Sequence, residues 1–218
     1  MDLSNWVGPA RPERKVFDGS YCRLEPLDAG RHAASLYEAA AAPGAEERFR
    51  YLGELPPQDF NNFKTWVEGA SNSADPLFFA VIDRKTGRAE GRQALMRIDA
   101  ANGVIEIGSI MWGPAIARTQ VATEALFLLA DYVFAAGYRR FEWKCNDLNL
   151  PSKRAAERFG FQFEGIFRQH MVVKGENRDT AWFAMIDGDW PRLKRGYQAW
   201  LRAENFDSDG RQNNKLTF

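Results

Sequence analysis

Residues 104–161 limit the possible folds of this chain more than any other stretch. The run VIEIGSIMWGP reads as a strand and leads through a loop into AIARTQVATEALFLLADYVFAAGY, a helix with Ala122, Leu126, Leu129 and Val133 at helical spacing. A second strand, RRFEWKC, enters NDLNLPSKRAAERFGF, where Pro151 pre-sets helical φ and Gly160 stops the helix. Two strand-to-helix crossovers in succession, each with polar or capping residues where its helix begins, imply a small-molecule site at the C-terminal ends of parallel strands.

The flanking sequence supplies the rest of a sheet. Tyr21–Leu27 alternates as a strand, and His32–Ala42 is an Ala-rich helix broken by Pro43-Gly44. ERFRYLGELPPQ reads as a loop carrying aromatics, and Asp59 caps a helix to about Gly69. Leu77–Ile82, Arg88–Ile98 and Val104–Met111 form two hairpins, so the sheet is antiparallel early and partly parallel late. Strands are expected at 162–173 and 179–186, then a helix from Trp190 to Phe206 with Pro191 in its first turn. The domain reading is an arm (1–19), one domain (20–187), a terminal helix (188–206) and a flexible polar tail (207–218).

Composition closes off several classes. At 218 residues, 45% hydrophobic and 13% aromatic, the chain suits one domain with a full core. Lys plus Arg and Asp plus Glu are both 29, so general nucleic-acid binding through phosphate neutralisation is not indicated. Cys22 and Cys145 sit in strand-like runs and read as reduced core thiols. His32 and His170 have no metal-ligand spacing, so no metal is expected. The N-terminus has no signal-peptide core and no segment has transmembrane length, which points to the cytoplasm and away from membranes.

The ordering of residues 20–187 resembles the acyl-CoA-binding half of the GNAT N-acetyltransferases, especially the branch of the ribosomal-protein N-terminal acetyltransferases RimJ and RimL. The resemblance rests on Thr123-Glu124-Ala125 after the small residue Ala122, and on Asn149 and Ser152 at the two positions of an N-x-x-S segment followed by a short helix and Gly160-Phe161. It implies a mixed α/β (α+β) single GNAT-like domain. Its central sheet is mostly antiparallel and splayed between two parallel strands, with helices on both faces. It implies acetyl-CoA as cosubstrate, its pyrophosphate on the helix that begins near Arg118, with Thr119, Gln120, Val121, Ala122 and Thr123 around it. A helix N-terminus offers unpaired N–H groups and a partial positive charge for that task. The family's glycine-rich loop is altered here, because Arg118 and Gln120 stand where glycines are usual. Arg118 and Thr119 can themselves ligate phosphate, and the bland alternative is a solvated arginine and an N-cap. By the same resemblance, Asn149 would bond the pantetheine arm and Ser152 would sit near the sulfur. Both also suit plain helix capping.

Transfer to an amine requires a polarised carbonyl, a neutral amine and a protonated leaving thiolate. The resemblance assigns the first to backbone N–H groups of Ile110, Met111 and Trp112. It assigns the second to Glu106, an acidic residue in an apolar strand. Catalysis and an ion pair with Arg92 or Arg97 explain that charge equally well. Alternation would put Glu106, Gly108 and Ile110 on one face. The tyrosine acid of the wider superfamily is replaced by Ala156, which leaves Ser152 as the donor. An α-amine with pKa about 7.8 is roughly one-seventh neutral at pH 7, whereas a lysine amine at about 10.4 is neutral at about one part in 2,500. A carboxylate acting through water therefore serves an N-terminal or weakly basic amine more easily. By the same resemblance Phe49, Tyr51 and Arg168 are the expected acceptor contacts, with core packing the alternative for the two aromatics, and His170 reads as structural.

The reading is an N-acetyltransferase acting by direct attack in a ternary complex on a peptide or small-molecule amine, as a monomer or homodimer. Other readings stand beside it: a CoA-binding sensor or interaction protein without catalysis, transfer of another acyl group, or an interaction module built on Trp190, Tyr197 and Trp200.

Overall fold

The computed structural model describes residues 2–218. The strands are β1 (Phe17–Asp18), β2 (Cys22–Pro26), β3 (Leu77–Asp83), β4 (Ala89–Asp99), β5 (Val104–Trp112), β6 (Arg140–Asn146), β7 (Gln162–Val173) and β8 (Glu176–Ile186). The helices are α1 (Ala29–Ala41), α2 (Ala45–Phe49), α3 (Phe60–Asn72), α4 (Gln120–Ala135), α5 (Leu150–Arg158) and α6 (Trp190–Trp200). The eight strands form one sheet in the order β1-β2-β3-β4-β5-β6-β8-β7. Every neighbouring pair is antiparallel except β5–β6, which is parallel. The mixed sheet expected from the sequence is therefore present.

Each face of the sheet has its own core. Leu24, Phe79, Leu95, Ile105 and Ile107 pack with Leu126, Leu129 and Val133 of α4 and with Leu193 and Tyr197 of α6. On the other face Phe78, Ala94 and Met111 pack with Leu36 of α1 and Val67 of α3. Helix α4 is apolar on more than one side because it lies between the sheet and α6, where Phe127 stacks near Trp190 and Tyr197.

Three local differences from expectation have physical causes. Residues 45–49 form a short helix in what reads as loop, because Phe49 is buried against α1 and α3. Helix α6 ends at Trp200 rather than Phe206, and a single 3₁₀ turn (Ala203–Asn205) follows. Residues 207–218, expected to hang free, dock on α6. Asn205 donates to the Trp200 and Asn214 carbonyls and accepts the Asn214 N–H, and the Phe218 ring lies 5.2 Å from that of Tyr197. The N-terminal arm is also docked, with the Trp6 indole donating to the Ala101 carbonyl and the Tyr138 hydroxyl to that of Ala10.

Glu124 joins the two halves of the first core. Its buried carboxylate accepts the backbone N–H groups of Ser20 (2.7 Å), Tyr21 (2.6 Å) and Cys22 (2.7 Å), where the chain enters β2. A Cβ on Gly19 would fall 2.3 Å from a carboxylate oxygen, so only glycine lets the backbone close on the acid. Glu124→Gln keeps the shape but turns an NH₂ toward three donors, leaving buried N–H groups unsatisfied. We expect a loss of about 3 kcal/mol, read as a fall in Tm of about 6–12 °C for a domain of this size.

Candidate active site

The pairing of β5 with β6 ends early. The register runs Val104↔Arg140, Ile105↔Phe141, Glu106↔Glu142 and Ile107↔Trp143, yet β5 continues to Trp112 and β6 to Asn146. From Gly108 onward the two strands part, and the β6-facing edge of β5 borders a gap. Ile110, Met111 and Trp112 lie along this edge, at the place expected for carbonyl-binding amides.

The strands part beside a β-bulge. The register between β4 and β5 slips between Arg92↔Met111 and Ala94↔Gly108, which places one extra residue in β5. Ser109 carries it with φ +49, left-handed for a residue with a Cβ. The bulge reverses the alternation, so Glu106 and Ile110 do not share a face as the spacing predicts. Ile110 and Trp112 turn to the α4 side, and Met111 turns to the α1/α3 side.

The loop from β5 to α4 turns into the helix with arginine, not glycine, at its left-handed position. Arg118 takes φ +66, supplying from a non-glycine residue the left-handed conformation that glycine allows at a cost of about 1–2 kcal/mol. Its side chain is exposed at the start of α4. Thr119 is the N-cap: its hydroxyl accepts from Val121 N–H (3.2 Å) and donates to the Ile116 carbonyl (2.7 Å), so that oxygen is committed locally. Gln120, Val121 and Ala122 form the first turn. Thr123 faces inward, its hydroxyl donating to the Thr119 carbonyl (3.1 Å) and accepting from Arg158 (3.3 Å). The anion-binding capacity of this turn thus rests on its amides and on Arg118.

Across the gap, Asn149 caps α5 through its side-chain oxygen, which accepts Ser152 N–H (3.1 Å), leaving its NH₂ free of the capping bond. The Ser152 hydroxyl accepts from the Trp143 indole (3.0 Å), a bond that fixes the oxygen while its own proton can still be donated. It also lies against the buried thiol of Cys145, whose pKa burial raises and the serine contact partly lowers.

Glu106 is buried in a charged cluster. Arg97 Nη1 donates to both of its oxygens at 2.8 Å, and Lys144 Nζ reaches it at 3.0 Å and Glu142 at 2.7 Å. Arg97 is thus its cation, while Arg92, the other arginine considered, turns to Ser109 and Glu54. Three of about four lone-pair sites on the carboxylate are taken, leaving one for a further donor. Lys144 lies on β6 just beyond the last paired residue, 3.8 Å above the Trp182 ring. The buried indole N–H of Trp182, the indole N–H of Trp112 and Nε of Arg178 find no partner among the described residues. Lys144, Arg178 and Trp182 escaped the sequence reading. The alternating E-W-K of β6 already put Glu142 and Lys144 on one face, but nothing in the sequence signals Trp182 or Arg178.

The expected acceptor contacts divide. Phe49 is a core residue at 2% exposure and lines no cleft, because α1 and α3 close over it. Tyr51 is half-buried, its hydroxyl donating to the Leu148 carbonyl (3.2 Å) between β6 and α5, and Lys174 donates to the Phe49 carbonyl (2.9 Å) from the β7–β8 turn. The segment 49–51 therefore links the start of α5 to the β7–β8 turn. Arg168 is exposed on the edge strand β7. His170 bonds the Thr180 hydroxyl (3.0 Å) and packs on Phe167 and Trp182, as a structural histidine does. Both cysteines are free and buried, and among the described residues no cluster of His, Cys, Asp or Glu could hold a metal. Among the same residues no helix is long and apolar enough to cross a membrane.

Comparison with known proteins agrees with this geometry. Residues 22–162 match the acetyltransferase (GNAT) domain family. A GCN5-related N-acetyltransferase from Brucella melitensis is 61% identical and superposes with a TM-score of 0.96 over 98% of this chain and 97% of that one. The uncharacterized N-acetyltransferase p20 of Bacillus licheniformis is 30% identical over 129 residues, 57% of this chain and 67% of p20. RimL, a ribosomal L7/L12 alpha-N-protein acetyltransferase solved with coenzyme A, is 19% identical with a TM-score of 0.66 over 79% of this chain and 98% of that one, a likeness of fold.

Arg118→Gly separates the left-handed backbone at that position from the phosphate contact expected of its side chain. Relief of the left-handed backbone should raise stability by about 0.5–1 kcal/mol, net of the extra freedom of the unfolded chain. Loss of one charge-assisted bond should weaken coenzyme A binding about tenfold. A rise in Tm together with a weaker calorimetric Kd is the expected pair of results.

Proposed function

This chain belongs to the GNAT acetyltransferase family and is an acetyl-CoA-dependent acyltransferase, and we propose that it acetylates an N-terminal α-amine or an amine of similar low basicity. The observation that carries the proposal is the gap between β5 and β6, which opens beside the α4 N-terminus on one side and the Glu106 cluster on the other.

Bound acetyl-CoA supplies an activated thioester and a diphosphate. The first-turn amides of α4 and the Arg118 guanidinium hold the diphosphate, and the Asn149 NH₂ bonds the pantetheine arm. The edge amides of Ile110–Trp112 receive the carbonyl oxygen as it gains negative charge. Glu106, with its remaining lone pair, accepts a proton from the attacking amine through water. As the carbon–sulfur bond breaks, Ser152 donates to the departing thiolate, its oxygen fixed by Trp143. Ser152 can recover that proton from solvent.

The weak demand on the base favours an α-amine. A lysine amine is neutral at pH 7 only at about one part in 2,500, whereas about one-seventh of an α-amine is neutral without help. Tyr51, bridging to Leu148, then lines the acceptor side, and the fold shared with RimL is in keeping with a peptide N-terminus.

The test is thiol release from acetyl-CoA across an amine panel. Release with free-N-terminal peptides and little with peptides blocked at the α-amine but bearing lysine is the expected result. Binding of coenzyme A with no release for any amine would establish a non-catalytic binding protein instead. In the same assay Ser152→Ala should slow turnover by about 10- to 100-fold without abolishing it, because a thiolate is already a fair leaving group.

A further inference from the structure

Arg92 has no part in the mechanism above, yet among the described residues it is one of the largest fully buried side chains. It projects from β4 into the second core, 4.4 Å from the Trp66 ring and 5.6 Å from that of Phe78. A buried cation costs several kcal/mol unless its donors are used. Here one arm, Nη1, donates at 2.6 Å to both the carbonyl and the hydroxyl oxygen of Ser109, and the other, Nη2, donates to Glu54 in the segment between α2 and α3.

Ser109 is the bulge residue, and its carbonyl belongs to the peptide whose N–H is that of Ile110. In a trans peptide the N–H points opposite its carbonyl. A grip on the Ser109 oxygen therefore also sets the direction of the Ile110 N–H. A positive charge on that oxygen draws electron density along the amide and strengthens the opposite N–H as a donor. The left-handed φ of Ser109 opposes this arrangement, and the two bonds from Arg92 offset it.

We infer that Arg92 is a positioning residue that locks and polarises the Ser109–Ile110 peptide, sharpening the amide that receives the thioester oxygen, and that Glu54 ties this setting to the acceptor-side segment. The inference rests on the amide site described under the proposed function. It makes Arg92 a contributor to kcat that touches neither substrate.

The probe is a ketone analogue of acetyl-CoA, with methylene in place of sulfur and an isotopic label at the carbonyl carbon. Its bound infrared stretch reports polarisation directly. In the wild-type chain the stretch should fall below its value in water. In Arg92→Met the fall should be smaller, and kcat should drop about 10- to 100-fold, the scale at which oxyanion donors act, with the Kd for coenzyme A held. Arg92→Lys, which restores charge without the two-armed grip, should recover part of both. Should Arg92→Met fail to fold, Arg92→Lys and Glu54→Gln are read in the same way and should give intermediate shifts. A stretch and kcat unchanged from wild type in the folded variants overturn the role of Arg92. Absence of any shift in the wild-type chain removes the amide site and the role of Arg92 with it, whereas thiol release in the amine assay reports on acetyl transfer independently.

Discussion

The early end of the parallel pairing between β5 and β6 is the constraint from which the site follows. Two parallel strands that stayed together would pair all their inward-facing amides, leaving no edge to meet a substrate carbonyl. The separation after Ile107↔Trp143 leaves the edge of Gly108–Trp112 facing a gap and sets the start of α5 across from it. The bulge at Ser109 falls where the strands part and reverses which side chains face each core. Local strain, strand separation and exposed edge thus occur within five residues. The surrounding sheet, packed on both faces, is rigid enough to hold that strain.

Charge is arranged in separate layers around this gap. At the α4 end the field is positive, from amides and from an exposed arginine. Along β5 and β6 acids and cations alternate: Arg97, Glu106, Lys144, Glu142 and Arg140 form one connected chain of ion pairs, buried at Glu106, Lys144 and Glu142 and reaching solvent at Arg97. A chain of this kind holds each member in a single rotamer better than an isolated pair would, because moving one leaves another buried charge without its partner. Glu106 is accordingly a fixed acceptor with one open direction rather than a mobile base.

Much of the fold was legible in the sequence. The two crossovers, the hairpins and the stop at Gly160 all lie where spacing and turn chemistry put them, and Gly160 takes positive φ. The capping roles of Thr119 and Asn149 were also readable, since capping is local. Facing was not legible past residue 108. A bulge breaks the period-two rule, and Ser109 carries no residue signal of left-handed backbone. The same limit hid a partner of Glu106: Lys144 meets it, and Trp182 lies under Lys144, through strand order, which periodicity does not encode. Phe49, which reads as an acceptor contact, lies in the core instead, because an aromatic in a loop can be pulled inward by one turn of helix. The polar tail misled for a related reason, because asparagines that look solvated satisfy one another's backbone around Asn205.

Glu124 has one more implication. It is part of the Thr123-Glu124-Ala125 run that carries the resemblance in the sequence, yet its carboxylate is spent on the entrance to β2. Selection for mere folding would preserve it in a descendant that had lost all chemistry. The run Thr123-Glu124-Ala125 is therefore no guide to chemistry by itself, since one of its three side chains is occupied in holding the sheet together.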